Sequence, residues 1–351
     1  MQHQNMWFQS LLSRLLNRGL SYALILGLAV GISVGVSAQT AGRITGQVMT
    51  LARELTGNNA IQVSYLGNHG LNLRRNLNVN FFDPALGRRP NPKFTNINIE
   101  TATGQNIYHA LQVSFKRRSS AGLHYDVNYT WAHALDDVQD QGLFSAQPQD
   151  NNNYRAERGN SSGDIRHTVN FNVLYELPIG QGHSLFGGAK GFAGVLVNGW
   201  KLATLGILRS GIANTVFIGT NTFGNGNFTN QRPNAVAGVT QYAANRDPSG
   251  WLNPAAFSLP AAGTFGNLGR NTFFGPDFKQ IDVSVLKDFK IGEKAKLEYR
   301  AEFFNIFNCP NFAQPNTTFN TPNFGKVFST FGATLGIGTS RQIQMALRLS
   351  F

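Results

Sequence analysis

The sequence predicts an all-β protein, an antiparallel transmembrane β-barrel of about eight strands, either closed on itself or an open, partial barrel. Three observations predict it. Apolar and polar residues alternate with a period of two in one segment after another. The connections between those segments alternate between short and long. The chain ends in an alternating strand whose last residue, Phe351, is aromatic. Composition agrees: only 14% of residues are charged, against about 25% in an ordinary soluble domain. A mean hydropathy of -0.19 is no objection, because alternating membrane strands average close to neutral.

Taken in order, the chain opens on a targeting segment, residues 1–38. Arg14 and Arg18 precede an apolar run that ends in Val36, Ser37 and Ala38, small residues suited to a cleavage site after Ala38. The rival reading is a membrane-spanning anchor, which the Gly-rich texture and the Val-Ser-Ala ending oppose. A detached signal helix is expected there. Residues 39–59 read as a remnant or linker, and 60–351 as the barrel segment.

Within 60–351 the alternating faces are Ile61, Val63 and Tyr65; Leu111, Val113 and Phe115; Leu123, Tyr125, Val127, Tyr129 and Trp131; and Val169, Phe171, Val173, Tyr175 and Leu177. Trp200, Leu202 and Leu208 mark a strand with weaker alternation. Ile281, Val283, Val285 and Phe289 mark the next, then Leu297, Tyr299, Ala301 and Phe303. The closing strand has Ile343, Met345, Leu347, Leu349 and Phe351 on one face. The connections 68–106, 135–164, 211–278 and 309–340 are long, 179–197 is intermediate, and 119–120 and 291–293 are short. Short turns on one side and long loops on the other are a barrel's pattern, and an even strand number would put both chain ends on the short-turn side. The long loops are rich in Asn, Gly, Pro and Phe with little charge, which suits packed loops carrying short hairpins better than solvated linkers.

A net charge of +12 would suit nucleic acid or an anionic membrane surface. The basic residues, Arg74, Arg75, Arg88, Arg89, Lys116, Arg117 and Arg118 among them, are scattered with no reader motif. Anionic lipid headgroups or lipopolysaccharide are therefore the expected partners, and nucleic acid is not. The single cysteine, Cys309, excludes an intramolecular disulfide and reads as a loop residue without a chemical role.

Candidate chemistry is sparse. Asp136, Asp137 and Asp140 could offer carboxylates to calcium, but the spacing lacks the other ligands and the glycine of a calcium loop, so a solvated acidic loop is expected. His124, His133 and His167 come with no HExxH or Cys/His spacing. Ser114 and His124 fall on neighbouring strands, yet no GxSxG elbow occurs, and no enzyme is expected. Lys296, Glu298, Arg300 and Glu302 share one face and read as a lumenal ladder of opposite charges across strands. No catalytic, cofactor-binding or metal-ligating residue is assigned, and no cofactor is expected.

Four segments carry a family resemblance: Tyr129-Thr130-Trp131-Ala132-His133-Ala134-Leu135-Asp136-Asp137; Asp164-Ile165-Arg166-His167-Thr168-Val169-Asn170; Trp251-Leu252-Asn253-Pro254-Ala255-Ala256-Phe257; and Glu302-Phe303-Phe304-Asn305-Ile306-Phe307-Asn308. In combination and in order they resemble the C-terminal third of Oar-like TonB-dependent outer-membrane transporters. Ala41-Gly42-Arg43-Ile44-Thr45-Gly46-Gln47-Val48 resembles the first strand of the regulatory-like domain that opens such proteins. The resemblance implies export to the outer membrane of a Gram-negative cell and recognition of the terminal strand and Phe351 by the barrel assembly machinery. It also implies a full barrel of about 22 strands, of which this chain holds the last eight or so. Energised uptake in that family needs a plug and a segment engaged by TonB, and there is no room for a plug between Val48 and Ala60. The expected function is a truncated transporter-like barrel, not competent for energised uptake alone and not a TonB partner. The alternatives are a small self-closed barrel acting as a passive pore or adhesion platform, and a non-functional remnant.

Overall fold

The computed structural model describes residues 43–56, 58–82, 87–118, 122–138, 147–223, 230–291, 295–332 and 340–351. The targeting segment 1–38 and Asp140 lie outside the described residues. Nine long strands form one antiparallel sheet in chain order: β1 (Arg43–Thr56), β2 (Asn59–Asn78), β3 (Asn98–Arg117), β4 (Leu123–Asp136), β5 (His167–Glu176), β6 (Trp200–Arg209), β7 (Phe278–Ile291), β8 (Ala295–Phe304) and β9 (Gln342–Ser350). The two-residue strand Gly159–Asn160 adds to the far end of β4. Among the described residues only one helix is α-helical, α1 (Gly191–Val197), and no helix is long and apolar enough to cross a membrane.

The registers align the apolar residues into one band across the sheet. Met49 pairs with Tyr65, Tyr65 with Leu111, and Leu111 with Trp131. Farther along, Tyr125 pairs with Val173, Val173 with Thr204, Thr204 with Val283, Val283 with Phe303, and Phe303 with Ile343. Residues directly opposite in a sheet point to the same side, so one face is apolar. The other carries Gln62, Ser64, Gln112, Asn128, Asn170, Asn172, Glu298 and Arg300. A one-residue slip anywhere would mix the two faces, so the band also fixes the register.

β6 alternates weakly for a visible reason. Gly206 sits opposite Phe171, and a Cβ at Gly206 would come within 2.2 Å of that ring. The missing side chain is the space the phenyl group occupies.

Two expectations are corrected. The stretch 39–59, read as remnant or linker, contains β1, paired with β2 from Arg43↔Leu71 to Thr56↔Asn59. The described wall strands thus number nine rather than eight, and an odd number reverses the parity inference. β1 starts at the end of the sheet that carries the long connections, while β9 finishes at the other. The segment 68–106, read as a loop, is largely a continuation of β2 and β3, each 20 residues long. Spanning needs about 9–11 residues, so the far halves stand beyond the apolar band. Their alternation is weak because loops and water, not a single apolar medium, cover them. Asn72, at φ 55, sits within the register shift between Gly70 and Leu73.

The ends of the sheet answer the question of closure. Ala60 to Gly67 of β2 pairs with β1 and β3, and β9 pairs with β8. Among the described residues β1 and β9 each have one neighbour, and the barrel is not closed.

The main buried apolar cluster lies in the long connections, not in the sheet. Val216, Trp251, Leu252, Ala256, Phe257, Leu268, Phe273 and Phe324 pack together, with Tyr242 and Phe319 against them. Short ladders frame it: Asn234–Ala235 with Phe257–Ser258, Ala213–Asn214 with Phe273–Phe274, and Tyr242–Asp247 with Gly250–Leu252. The expected packed loops with short hairpins are what the chain forms.

We expect Gly206→Val to destabilise the sheet by about 1–3 kcal/mol through overpacking against Phe171. Adding Phe171→Ala should restore much of the loss. Urea unfolding followed by tryptophan fluorescence in micelles measures both.

Candidate functional site

At the long-loop end three arginines are almost wholly buried, Arg75, Arg232 and Arg270. A buried guanidinium must be paired and hydrogen-bonded, and each of these is. The Arg232 Nη1 donates to both Glu157 carboxylate oxygens, at 3.0 and 2.8 Å, its Nε to the Leu268 carbonyl at 2.8 Å, and its Nη2 to the Ala156 carbonyl at 3.1 Å. Arg270 donates from Nε to the Glu157 carbonyl at 2.8 Å and from Nη2 to both the carbonyl and the carboxylate of Asp136. Arg75 reaches the Asp137 carbonyl at 2.9 Å and its carboxylate at 3.1 Å, and lies over the Tyr154 ring at 4.4 Å. The hub is the 3-10 turn Tyr154–Glu157. It joins β2, the end of β4 and the connections 137–166 and 210–277.

Asp136 and Asp137 are held by Arg270 and Arg75 and are not a solvated acidic loop. Asp137 also accepts from the Gln105 amide at 2.7 Å. Among the described residues no group of His, Cys, Asp and Glu is placed to hold a metal ion. Asp164 is fully buried, accepts from the Ala134 amide at 2.8 Å and pairs with Arg166 at 2.9 Å and His133 at 3.4 Å, locking the end of β4 to the entry of β5. His167 and Tyr129 form a stacked, hydrogen-bonded pair at 2.9 Å, and His109 and Tyr65 a second at 2.6 Å. His124 is exposed on the polar face opposite Leu174. Ser114 faces Asn128, four residues from His124 along β4, so the two are roughly 13 Å apart along the strand. They are not brought together. Cys309 is held through its backbone, its amide donating to the Asn305 side chain at 3.0 Å.

On the polar face the expected charge ladder runs both along and across strands. Glu176 pairs with Lys201, Lys201 with Asp288, Asp288 with Lys296, Lys296 with Glu298, Glu298 with Arg300, and Arg300 with Glu302. The ribbon crosses four strands, β5 to β8, and alternates sign throughout. Sequence spacing revealed its β8 section; the cross-strand links to Lys201 and Asp288 needed the register. The buried Arg232 and Arg270 carried no such signal, since each meets its partner from more than a hundred or some seventy residues away.

A family model described as an outer membrane beta barrel domain matches residues 36–344. The chain belongs to this family. Among curated proteins nothing matches. The chain is similar to the outer membrane transporter YddB from Escherichia coli, with TM-score 0.48, 8% identity, and 88% of this chain and 32% of that one covered. It is also similar to the FrpB iron transporter from Neisseria meningitidis (F3-3 variant), with TM-score 0.41, 12% identity, and 90% and 32% covered. The chain spans about a third of the length of each. As an outer membrane beta barrel domain, it presents the apolar band to lipid and the polar face, with its charge ribbon, to the interior. The two Tyr–His pairs and Trp131 mark the upper edge of the band; Tyr125, Tyr175 and Trp200 mark its lower edge, near the short turns.

Glu157→Gln leaves the Arg232 guanidinium buried without its counter-charge, and we expect a loss of about 3–5 kcal/mol in the loops. The double change Glu157→Leu with Arg232→Met removes the unpaired charge and should recover only part of it, because the Leu268 and Ala156 carbonyls and the Gln149 amide lose their partners. Protection of the loops from chymotrypsin, measured against urea, reads out both.

Proposed function

We propose that this outer membrane beta barrel domain is a wall sector of a transporter-like barrel of the Oar-like, TonB-dependent type, not competent for energised uptake alone. The carrying observation is the direction of its two edge strands. With nine antiparallel strands described, β1 and β9 both run from the long-loop end to the short-turn end. Closing the sheet on itself would require a parallel seam in an otherwise antiparallel wall, and an exposed edge is not tolerated in lipid. Strands from elsewhere, odd in number, complete the wall with antiparallel pairing throughout. The four family-like segments support the transporter type: they build the buried end of β4, the Asp164 clamp, the loop core and the turn after β8.

The partners in this proposal are outer-membrane lipid, lipopolysaccharide at the basic loop end, and the assembly machinery acting on Phe351, which is fully exposed. TonB is not a partner of this sector by itself, nor is nucleic acid, and the sector carries no enzymatic activity. A self-closed passive pore is the competing outcome, and about eight or nine strands would leave its interior filled by side chains.

The test uses the chain expressed alone in outer membranes. We expect no heat-modifiable band on a gel, no stepwise conductance in planar bilayers, and no substrate uptake that depends on TonB. A compact band that shifts on boiling, with discrete conductance steps, would establish the self-closed pore instead. Uptake abolished by removing TonB would overturn the claim of incompetence.

A further inference from the structure

The connection 177–199, between β5 and β6, contains no Asp or Glu. It exposes Leu185, Phe186, Phe192, Val195 and Leu196, with Phe192 79% and Phe186 68% accessible. In water such a patch on a short connection would be costly. Its location explains it. The Trp200 indole nitrogen donates to the Leu196 carbonyl at 2.9 Å, and Trp200 pairs with Lys287 in the lipid-facing register row that continues to Tyr299 and Leu347. The patch therefore continues the lipid-facing band at its short-turn edge.

Lys287 is the second observation. It is the one lysine on that row among the described residues, and it is 1% exposed. Its Nζ lies 5.0 Å from the Phe289 ring and 5.7 Å from the Trp200 ring, with no hydrogen-bond acceptor. Lys201 and Lys296, on the polar face, each have carboxylates at 3.1–3.6 Å. Cation–π contact alone does not replace the three acceptors an ammonium group seeks. Gly199, at φ +77, lies close beside this amine: a Cβ there would sit 4.0 Å from the Lys287 Nζ and 3.3 Å from the Asp288 carbonyl.

We propose that the connection 177–199 is an interfacial anchor for an anionic phospholipid of the leaflet at the short-turn end. Acyl chains lie on Phe186, Phe192, Val195 and Leu196, and the headgroup phosphate accepts from Lys287. Lys190, exposed in the same carboxylate-free connection, adds positive charge toward the headgroup. The Trp200 and Phe289 rings cover the amine, so the headgroup engages it by drawing the flexible lysine stem outward along apolar surface to the interface, where lysines at membrane boundaries place their charge. This inference goes beyond the transporter reading and holds whether or not other strands complete the wall.

The test places a bimane label at Phe192→Cys in full-length chain carrying Cys309→Ser, in the membrane-inserted fraction recovered by flotation. The vesicles are phosphatidylcholine with a minor share of phosphatidylglycerol, one lipid or the other brominated on its acyl chains. We expect both lipids to quench the label, with brominated phosphatidylglycerol roughly two-fold or more stronger per mole. Lys287→Met should abolish that preference and keep the quenching by phosphatidylcholine. Quenching by aqueous iodide but not by either lipid overturns the anchor. Equal quenching per mole by the two lipids in the unchanged lysine background overturns the phosphate site, and does so even where Lys287→Met fails to insert.

Discussion

A backbone that enters hydrocarbon has to satisfy its amides and carbonyls within the protein, because no water is present to do it. The nine-stranded sheet meets that demand between every adjacent pair of strands, from the β1–β2 register to the β8–β9 register. Its side-chain pattern follows from the same constraint: once the ladder is fixed, alternate residues must meet lipid or the polar interior. The apolar band and the ribbon from Glu176 to Glu302 are two consequences of one pairing. Among the described residues the outer sides of β1 and of β9 have no strand neighbour, so the same demand falls on those two edges.

Above the band the physics changes to that of a soluble domain. The loops cannot rely on a ladder, so they bury Trp251, Phe257, Phe273 and Phe324 against one another. They are tied down by guanidinium groups that donate to backbone carbonyls as well as carboxylates. A long, irregular connection has many carbonyls without strand partners. An arginine with five donors in a fixed fork satisfies several at once. Such clusters are weak sources of net stability and strong sources of a single loop arrangement, which is what a surface above a membrane requires.

The sheet was legible wherever lipid lies on one side: β3 to β5 and β7 to β9 announce themselves through residues such as Tyr125, Val127 and Tyr129, or Leu297, Tyr299 and Phe303. It was illegible where that contrast fades. β1 lacks a clean alternation, with Arg53 and Gln47 on the same side as Met49 and Leu51. In the far halves of β2 and β3 the apolar pair Leu77↔Ile99 shares its side with the polar pair Arg75↔Thr101. In the loops, composition foretold packing but not partners, since Arg270 meets Asp136 across 134 positions of sequence. The acidic residues near the end of β4 looked like a solvated group for the same reason: their arginines lie far away in the chain. His133 and His167 were visible as residues, but the contact of His133 with Asp164 and the hydrogen bond of His167 with Tyr129 depend on register.

The ribbon of β2 and β3 reaches, at 20 residues per strand, about 66 Å if measured along a straight strand, roughly twice what the bilayer uses. It works as a mast whose height is quantised. Adding or removing two residues in each strand would move the surface at its tip by about 7 Å while every side chain kept its side of the sheet; a change of one would invert the upper half. The stature of this surface above the bilayer can therefore drift in even steps without disturbing the part of the same strands that lies in the membrane.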